Sequence, residues 1–366
     1  MSNLSSAIFY FSIIVSTTLC ADLSNRIDHK IWRKFFKYLT LLIPSIVAGI
    51  RIDVGTDYSL YNRAFKEIII NKTSRYEDFE IGYRLLNKII YSIGGNFHLV
   101  MFIMSFFTIL FIYNGLINEN KNIALTHGIM VYMFLFYQTS LNIVRQSLAI
   151  SICLYACTCL NRGKKYRYFL YVLLASTFHR SALICLSFIV LKPIFQNKDK
   201  KILKTVIFLT LLILVFKRDI LGEIVFHIFD SNYYSGYFLR ETAVGGNIIF
   251  YIAKILPIIL CCIIVYNYIK HNKNLIMYYN FILCGYILGA LGCFTLTQVQ
   301  RIAYYFTYLI ILLLPFVIRI VSKRKFVVVK VLLLGFIVFN WYFDYFYRGY
   351  SQTIPYKSIF YEVYIS

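Results

Sequence analysis

Long apolar runs alternate with short polar links along the chain, and most of the links are basic. Windows such as "IIFYIAKILPIILCCIIVYNY" and "VVVKVLLLGFIVFNWYF" are of the length a bilayer core requires, roughly 20 residues in helical form. They do not alternate polar and apolar positions, as the strands of an outer-membrane barrel would. The pattern predicts an all-α polytopic integral membrane protein, with residues 1–366 as a single transmembrane domain. Spans are expected near 5–21, 37–51, 97–117, 123–141, 144–160, 202–217, 247–269, 275–297, 302–318 and 326–346, about ten in all.

Residues 168–191, "YFLYVLLASTFHRSALICLSFIVL", are long enough for one crossing, yet both flanks are strongly basic. Both flanks therefore belong in the cytoplasm. Two half-helices are expected instead, a short re-entrant hairpin with its tip at His179. Two larger extracytoplasmic loops are expected. One covers 51–96 and contains an amphipathic helix in "FEIGYRLLNKIIYSIGG", with Leu86, Ile89, Ile90 and Ile93 on one face. The other covers 218–246.

Composition supports this picture and narrows it. Hydrophobic residues make up 60% of the chain and charged ones 15%, far from soluble averages. The net charge of +22 invites a nucleic-acid reading. Most of the excess falls in segments assigned to the cytoplasm, so the positive-inside bias accounts for it and no nucleic-acid partner is expected. No basic residue precedes the first apolar run, which argues against a cleaved leader and for an outside N-terminus. The nine cysteines lie in apolar windows without zinc or C-x-x-C spacing, and are expected to act as packing residues.

Four sites place charge against apolar neighbours at span ends: Arg51 in "RIDVGTDY", Arg145 in "NIVRQSLAI", His179–Arg180 in "FHRSAL" and Arg301 in "QVQRIAYYF". An ionised side chain costs about 2.5–3.5 kcal/mol at the bilayer centre on insertion scales, so each needs water or a counter-ion. Arg145, Arg180 and Arg301 are each expected to open a helix. A cation there becomes favourable when an anion is shared between the guanidinium and the helix end. Arginine suits phosphate because its planar fork binds two oxygens and stays charged. The set therefore points to an anion-binding chamber, suited to phosphate groups, formed by Arg51, Arg145, Arg180 and Arg301. His179 is the first candidate for a general base and Asp57 the alternative. The blander readings are snorkelling arginines, a satisfied buried histidine, a turn made by Gly55, and an interfacial belt in "NWYFDYFYRGY". No metal or cofactor is expected.

"GIRIDVGTDYSLYNRAF", "NIVRQSLAISICLYA", "ASTFHRSALICL", "QRIAYYF" and the terminal "IPYKSIF" occur in an order that resembles the EpsG family, which belongs with the Wzy-type polymerases of bacterial surface polysaccharides. The resemblance runs from about residue 40 to 360. It implies a GT-C-like membrane glycosyltransferase of the bacterial cytoplasmic membrane. The implied reaction transfers a growing glycan from undecaprenyl pyrophosphate to the non-reducing end of an incoming lipid-linked repeat unit. It also implies lipid-linked glycans as partners within membrane lipid, and a chain-length regulator protein as a further partner. An O-antigen ligase uses the same donor and stays open as a rival. A flippase of lipid-linked oligosaccharides would also want a basic cavity, but commonly shows two related halves, which are not found here. A membrane acyltransferase would leave the arginines unexplained.

Overall fold

The computed structural model describes residues 2–70, 79–197, 199–216, 247–294, 297–323 and 326–362. The expected loop at 218–246 lies outside them, as does the middle of the 51–96 loop. Among the described residues the chain is helical, and only one isolated antiparallel bridge, Arg51 to Ser358, interrupts that. The order is α1 (Asn3–Arg26), α2 (Lys30–Ile50), α3 (Tyr58–Ile70), α4 (Ile81–Ser92), α5 (Phe97–Leu135), α6 (Tyr137–Asn142), α7 (Val144–Asn161) and α8 (Lys165–Ser176). A 3-10 turn (Arg180–Leu186) leads into α9 (Ser187–Phe195) and α10 (Lys201–Phe216). Then come α11 (Ile248–Ile264), α12 (Tyr266–Ile269), α13 (Lys273–Phe294), α14 (Thr297–Thr307), α15 (Ile310–Val321), α16 (Val327–Trp341) with a π turn (Tyr342–Tyr347), and α17 (Ile359–Glu362).

Among the described residues, four helical stretches are long and apolar enough to cross a membrane: Asn3–Arg26, Phe97–Glu119, Lys273–Cys293 and Val327–Tyr347. A fifth crossing forms if Val299–Thr307 and Ile310–Val321, bent by 46°, count as one. That is fewer than the ten spans read from apolar runs. The difference has local causes. The first turns of α2 carry Lys30, Arg33, Lys34 and Lys37, and α10 and α11 are only 16 and 17 residues long. An all-helical membrane protein follows from either count.

Two reversals expected from the sequence are present. α5 comprises two helical stretches, Phe97–Glu119 and Ala124–Leu135, and a Cβ placed on Gly128 would fall on the Leu116 side chain. Twelve residues of straight helix span about 18 Å, so the chain must fold back between them, consistent with separate runs at 97–117 and 123–141. Likewise, the Tyr168 hydroxyl on α8 donates to the Cys185 carbonyl, across a break at Thr177–His179. Seventeen residues of straight helix would hold these groups about 25 Å apart. The 168–191 segment is thus a hairpin. Lys192 Nζ donates to Leu160 O at 2.7 Å, which returns its far end to the end of α7.

α7 is nearly all interior, packed between α5 and α8. All nine cysteines are free, and eight are buried, as packing residues should be. The two ends of the chain meet. Tyr356 N donates to Ser6 Oγ at 2.9 Å, and the Tyr356 ring lies 4.7 Å from Phe9 and 5.5 Å from Tyr10. The 51–56 turn is laced to the C-terminal stretch by Ile52 N to Lys357 O, Gly55 N to Gln352 O and Thr56 N to Ser351 O. Gly55 sits at φ 97° and Asp53 at φ 49°, a left-handed turn that suits glycine and tolerates aspartate.

The amphipathic helix forms as α4, but with its faces divided differently. Ile90 is buried and Leu86 packs against the core, whereas Ile81, Leu85 and Ile89 are exposed. Their i, i+4, i+8 spacing makes the outward apolar stripe.

Candidate functional site

Glu80, immediately before α4, is the hub of a cluster drawn from five parts of the chain. Its carboxylate is almost fully buried. Arg145, in the first turn of α7, pairs with Glu80 Oε2 through Nη1. The Arg180 backbone N–H donates to Oε1 at 3.1 Å, and His179 Nδ1 lies 3.4 Å from the same oxygen. Burial alone would push the Glu80 carboxyl up. Arg145, His179 and backbone N–H groups outweigh that and hold it below the usual carboxylate range.

The second contact with the hairpin tip comes from Gly82. Its N–H donates to Thr177 O at 2.8 Å, and a Cβ there would sit 2.8 Å from that same oxygen. Only glycine lets α4 approach this closely. The Arg145 guanidinium lies over the Phe79 ring, 3.7 Å from its centroid, with Tyr61 and Tyr83 at 6.0 and 5.7 Å. This aromatic seat offsets part of the cost of a shielded cation.

Asp57 stands at the start of α3. Asn142, at the end of α6, fixes it there. The Asn142 Oδ1 accepts from Asp57 N at 2.8 Å and from Thr56 Oγ1 at 2.7 Å. Burial raises the Asp57 carboxyl above its usual value, and Arg301, Thr56 and Arg145 pull it part of the way back. Arg301 thus belongs to the same electrostatic group. It is exposed, in the second turn of α14, and its carbonyl accepts from Gln146 Nε2 at 2.8 Å.

His179 occupies the extended break between α8 and the 3-10 turn, outside the spanning helices. Its Nδ1 also lies 3.3 Å from Ser181 Oγ, which donates to the Tyr305 hydroxyl at 3.0 Å. Burial lowers its pKa to about 4. Glu80 acts the other way, and Arg145 and Arg301 push with the burial. The imidazole is therefore neutral at pH 7 with Nδ1 turned to Glu80, which leaves Nε2 as the nitrogen able to take a proton.

Asp57, Arg145, His179, Arg180 and Arg301, all singled out in the sequence, meet here. Arg145 and Arg180 do stand at helix openings, while Arg301 lies one turn further in. The anion expected at the α7 opening is supplied by the protein itself, as Glu80.

Arg51 lies elsewhere. It is 1% exposed, and its electrostatic neighbours are Tyr10, Tyr137, Tyr356 and Tyr58. Its Nη2 reaches Met101 Sδ at 3.6 Å, and its Nε and Nη1 have no hydrogen-bond partner among the described residues. The adjoining cavity of about 10 Å³, lined by Met101, Ser105 and Thr108 among others, has room for one water and not for a diphosphate.

Glu80 was not among the sequence candidates. Its available signal was a lone acid between Phe79 and Ile81 in a chain with few acids. Among the described residues no three His, Cys, Asp or Glu side chains cluster as metal ligands would.

A family model described as the EpsG family matches residues 34–358. That stretch contains every residue of the cluster. Comparison with curated proteins and with solved structures gives no match.

Proposed function

Because the chain belongs to the EpsG family, we propose that it is a polymerase of bacterial surface polysaccharide. It would act in the cytoplasmic membrane as a GT-C-like glycosyltransferase, moving a growing glycan from undecaprenyl pyrophosphate to an incoming lipid-linked repeat unit. The observation that carries this reading is the convergence of Asp57, Glu80, Arg145, His179 and Arg301 from distant segments.

In this scheme Arg301, exposed and unburdened by Glu80, grips the donor diphosphate, with Arg180 as a second contact. Arg145 adds positive potential from its seat beside Glu80. A hydroxyl at the non-reducing end of the acceptor attacks the anomeric carbon of the donor sugar. The bond from that carbon to the phosphate oxygen breaks, and the diphosphate leaves with the electron pair, stabilised by the guanidinium groups. The hydroxyl proton passes to His179 Nε2, with the ring oriented by Glu80 in the manner of a base held by a third group. Burial is the main cause of the low His179 pKa and the Arg145 and Arg301 charges add to it; a bound diphosphate offsets that added part and so strengthens the base. Asp57, its carboxyl raised by burial, is the alternative acceptor. Arg51 has no place in this chemistry and serves the packing of the 51–58 turn. A chain-length regulator is a further proposed partner.

The test is deletion of the gene and gel analysis of the surface glycan, with complementation by wild type or Arg301→Ala. Single repeat units, attached normally, are expected from the deletion and from Arg301→Ala at normal protein level. Polymer retained on the lipid carrier would indicate a ligase instead, and repeat units trapped inside would indicate a flippase.

A further inference from the structure

A second constellation of charge stands apart from the Glu80 cluster. α11 carries a single charged residue, Lys254, amid "IIFYIAKILPIILCCII". The Val327–Tyr347 span carries Asp344 near its end, and Arg348 follows one turn later. Ionisable side chains inside apolar spans are costly and usually serve a site. All three converge on one cavity. Lys254 Nζ pairs with Asp344 Oδ2, and Arg348 Nη1 reaches Asp344 Oδ1 at 3.1 Å. One carboxylate between two cations leaves the wall with a net positive charge. The acid is sealed, its side chain 5% exposed, while Lys254 and Arg348 keep 34% and 28%. A ligand entering the cavity therefore meets the cations and not the acid.

The cavity measures about 120 Å³, well beyond the ~10–15 Å³ that a single water takes. Beneath the charges its lining is aliphatic and aromatic, including Ile255, Ile258 and Tyr286. An anionic head on an apolar chain fits such a wall better than a soluble anion does. The facing wall is α14. Gln300, Ala303, Tyr304 and Thr307 line the cavity, whereas Arg301 and Tyr305 turn toward the Glu80 cluster. At about 100° per residue these sets sit roughly 120° apart around one helix. α14 is thus a partition with a charged site on each side.

We propose that this cavity holds the diphosphate of a second lipid-linked substrate, the acceptor. The assignment rests on the polymerase reading and deepens it. The acceptor reacts at the sugar end remote from its own diphosphate, so that diphosphate must be held away from the reacting carbon and left intact. A partition between two diphosphate sites meets the first need. The second is met by a wall in which, among the described residues, no histidine stands and the one carboxylate is locked between two cations.

The experiment uses the purified full chain in lipid nanodiscs, with undecaprenyl diphosphate as probe and binding counted by native mass spectrometry. Wild type is expected to take up two equivalents. Arg348→Gln, which leaves the Lys254–Asp344 pair in place, should weaken one of them at least tenfold, the loss typical of one charge-assisted contact. A photoreactive polyprenyl diphosphate should label α11 and the Val327–Tyr347 span of the unmodified protein. Unlabelled undecaprenyl diphosphate should suppress that labelling, and inorganic pyrophosphate or phosphatidylglycerol should not. A single equivalent lost with Arg301→Ala alone, two equivalents retained by Arg348→Gln, or label confined to other helices would overturn the proposal. Equal competition by phosphatidylglycerol would overturn the acceptor assignment in favour of a general phospholipid site. If deletion of the gene leaves polymer intact while two equivalents still bind and one depends on Arg348, the polymerase reading falls and the second diphosphate-lipid site stands.

Discussion

Glu80→Gln is the most informative single change, because it keeps shape and removes only charge. In the native protein the carboxylate neutralises Arg145, whose side chain is 15% exposed against 2% for Glu80. Removing one partner of a buried pair costs about 3–5 kcal/mol, since the other charge stays behind. Two features pull the value to the lower end. The glutamine Oε1 still accepts the Arg180 N–H, and the Phe79 ring under the guanidinium is untouched. A destabilisation of about 3 kcal/mol follows. At roughly 2.1 cal/mol/K per residue the unfolding entropy of a 366-residue chain is about 0.8 kcal/mol/K, so the thermal midpoint falls by about 4 °C. Helices that persist in detergent shrink that entropy, which makes 4 °C a floor. The eight buried thiols supply the assay: a thiol-reactive dye reports their exposure as detergent-solubilised protein is heated. Arg145→Met in the same background should restore most of the loss, giving a coupling of about 2–3 kcal/mol by double-mutant cycle. A Glu80→Gln midpoint within 1 °C of wild type, or a double variant as unstable as the single, would refute the pairing as the anchor of α4.

Two further outcomes follow from the same geometry. Gly82→Ala drives a Cβ against the Thr177 carbonyl and should lower stability by about 1–3 kcal/mol through the lost N–H bond. Polymer length should fall with it, because Glu80 sits two residues away, while Gly335→Ala, where a Cβ meets open space, should be neutral or slightly stabilising. Acid should destabilise the protein through His179. Its folded pKa of about 4 lies below the ordinary ~6.5, so the unfolded chain takes the proton first. That contribution is constant above pH 6.5, is lost between pH 6.5 and 4 up to a limit of about 3 kcal/mol, and changes no further below. Glu80 weakens the fold in the same direction at lower pH and Asp57 opposes it. Thermal midpoints at pH 7.5 and 5 should therefore converge in His179→Gln, and an unchanged pH slope in that variant would remove His179 from the account.

Much of the architecture was written in local chemistry. Twenty-odd apolar residues next to a basic flank commit to a helix in lipid wherever they occur, and that logic found α1, α13 and α16 without reference to anything else. It also found the hairpin at His179, because two basic flanks cannot lie on opposite sides of a membrane without violating the charge bias. Arginines amid apolar neighbours likewise announced themselves one by one, since each carries a local cost that needs an explanation. What those arginines do was not legible. Arg51 and Arg145 present similar surroundings in sequence, yet one is enclosed by tyrosines from both chain ends and the other rests against a carboxylate 65 residues upstream. Glu80 and Asp344 do not stand out in the sequence for the same reason: a carboxylate becomes a hub only through the cations that distant helices deliver to it. Helix formation in a bilayer is decided segment by segment. Neutralisation of a buried charge is a pairwise event across segments, and only the packed structure decides which pairs occur.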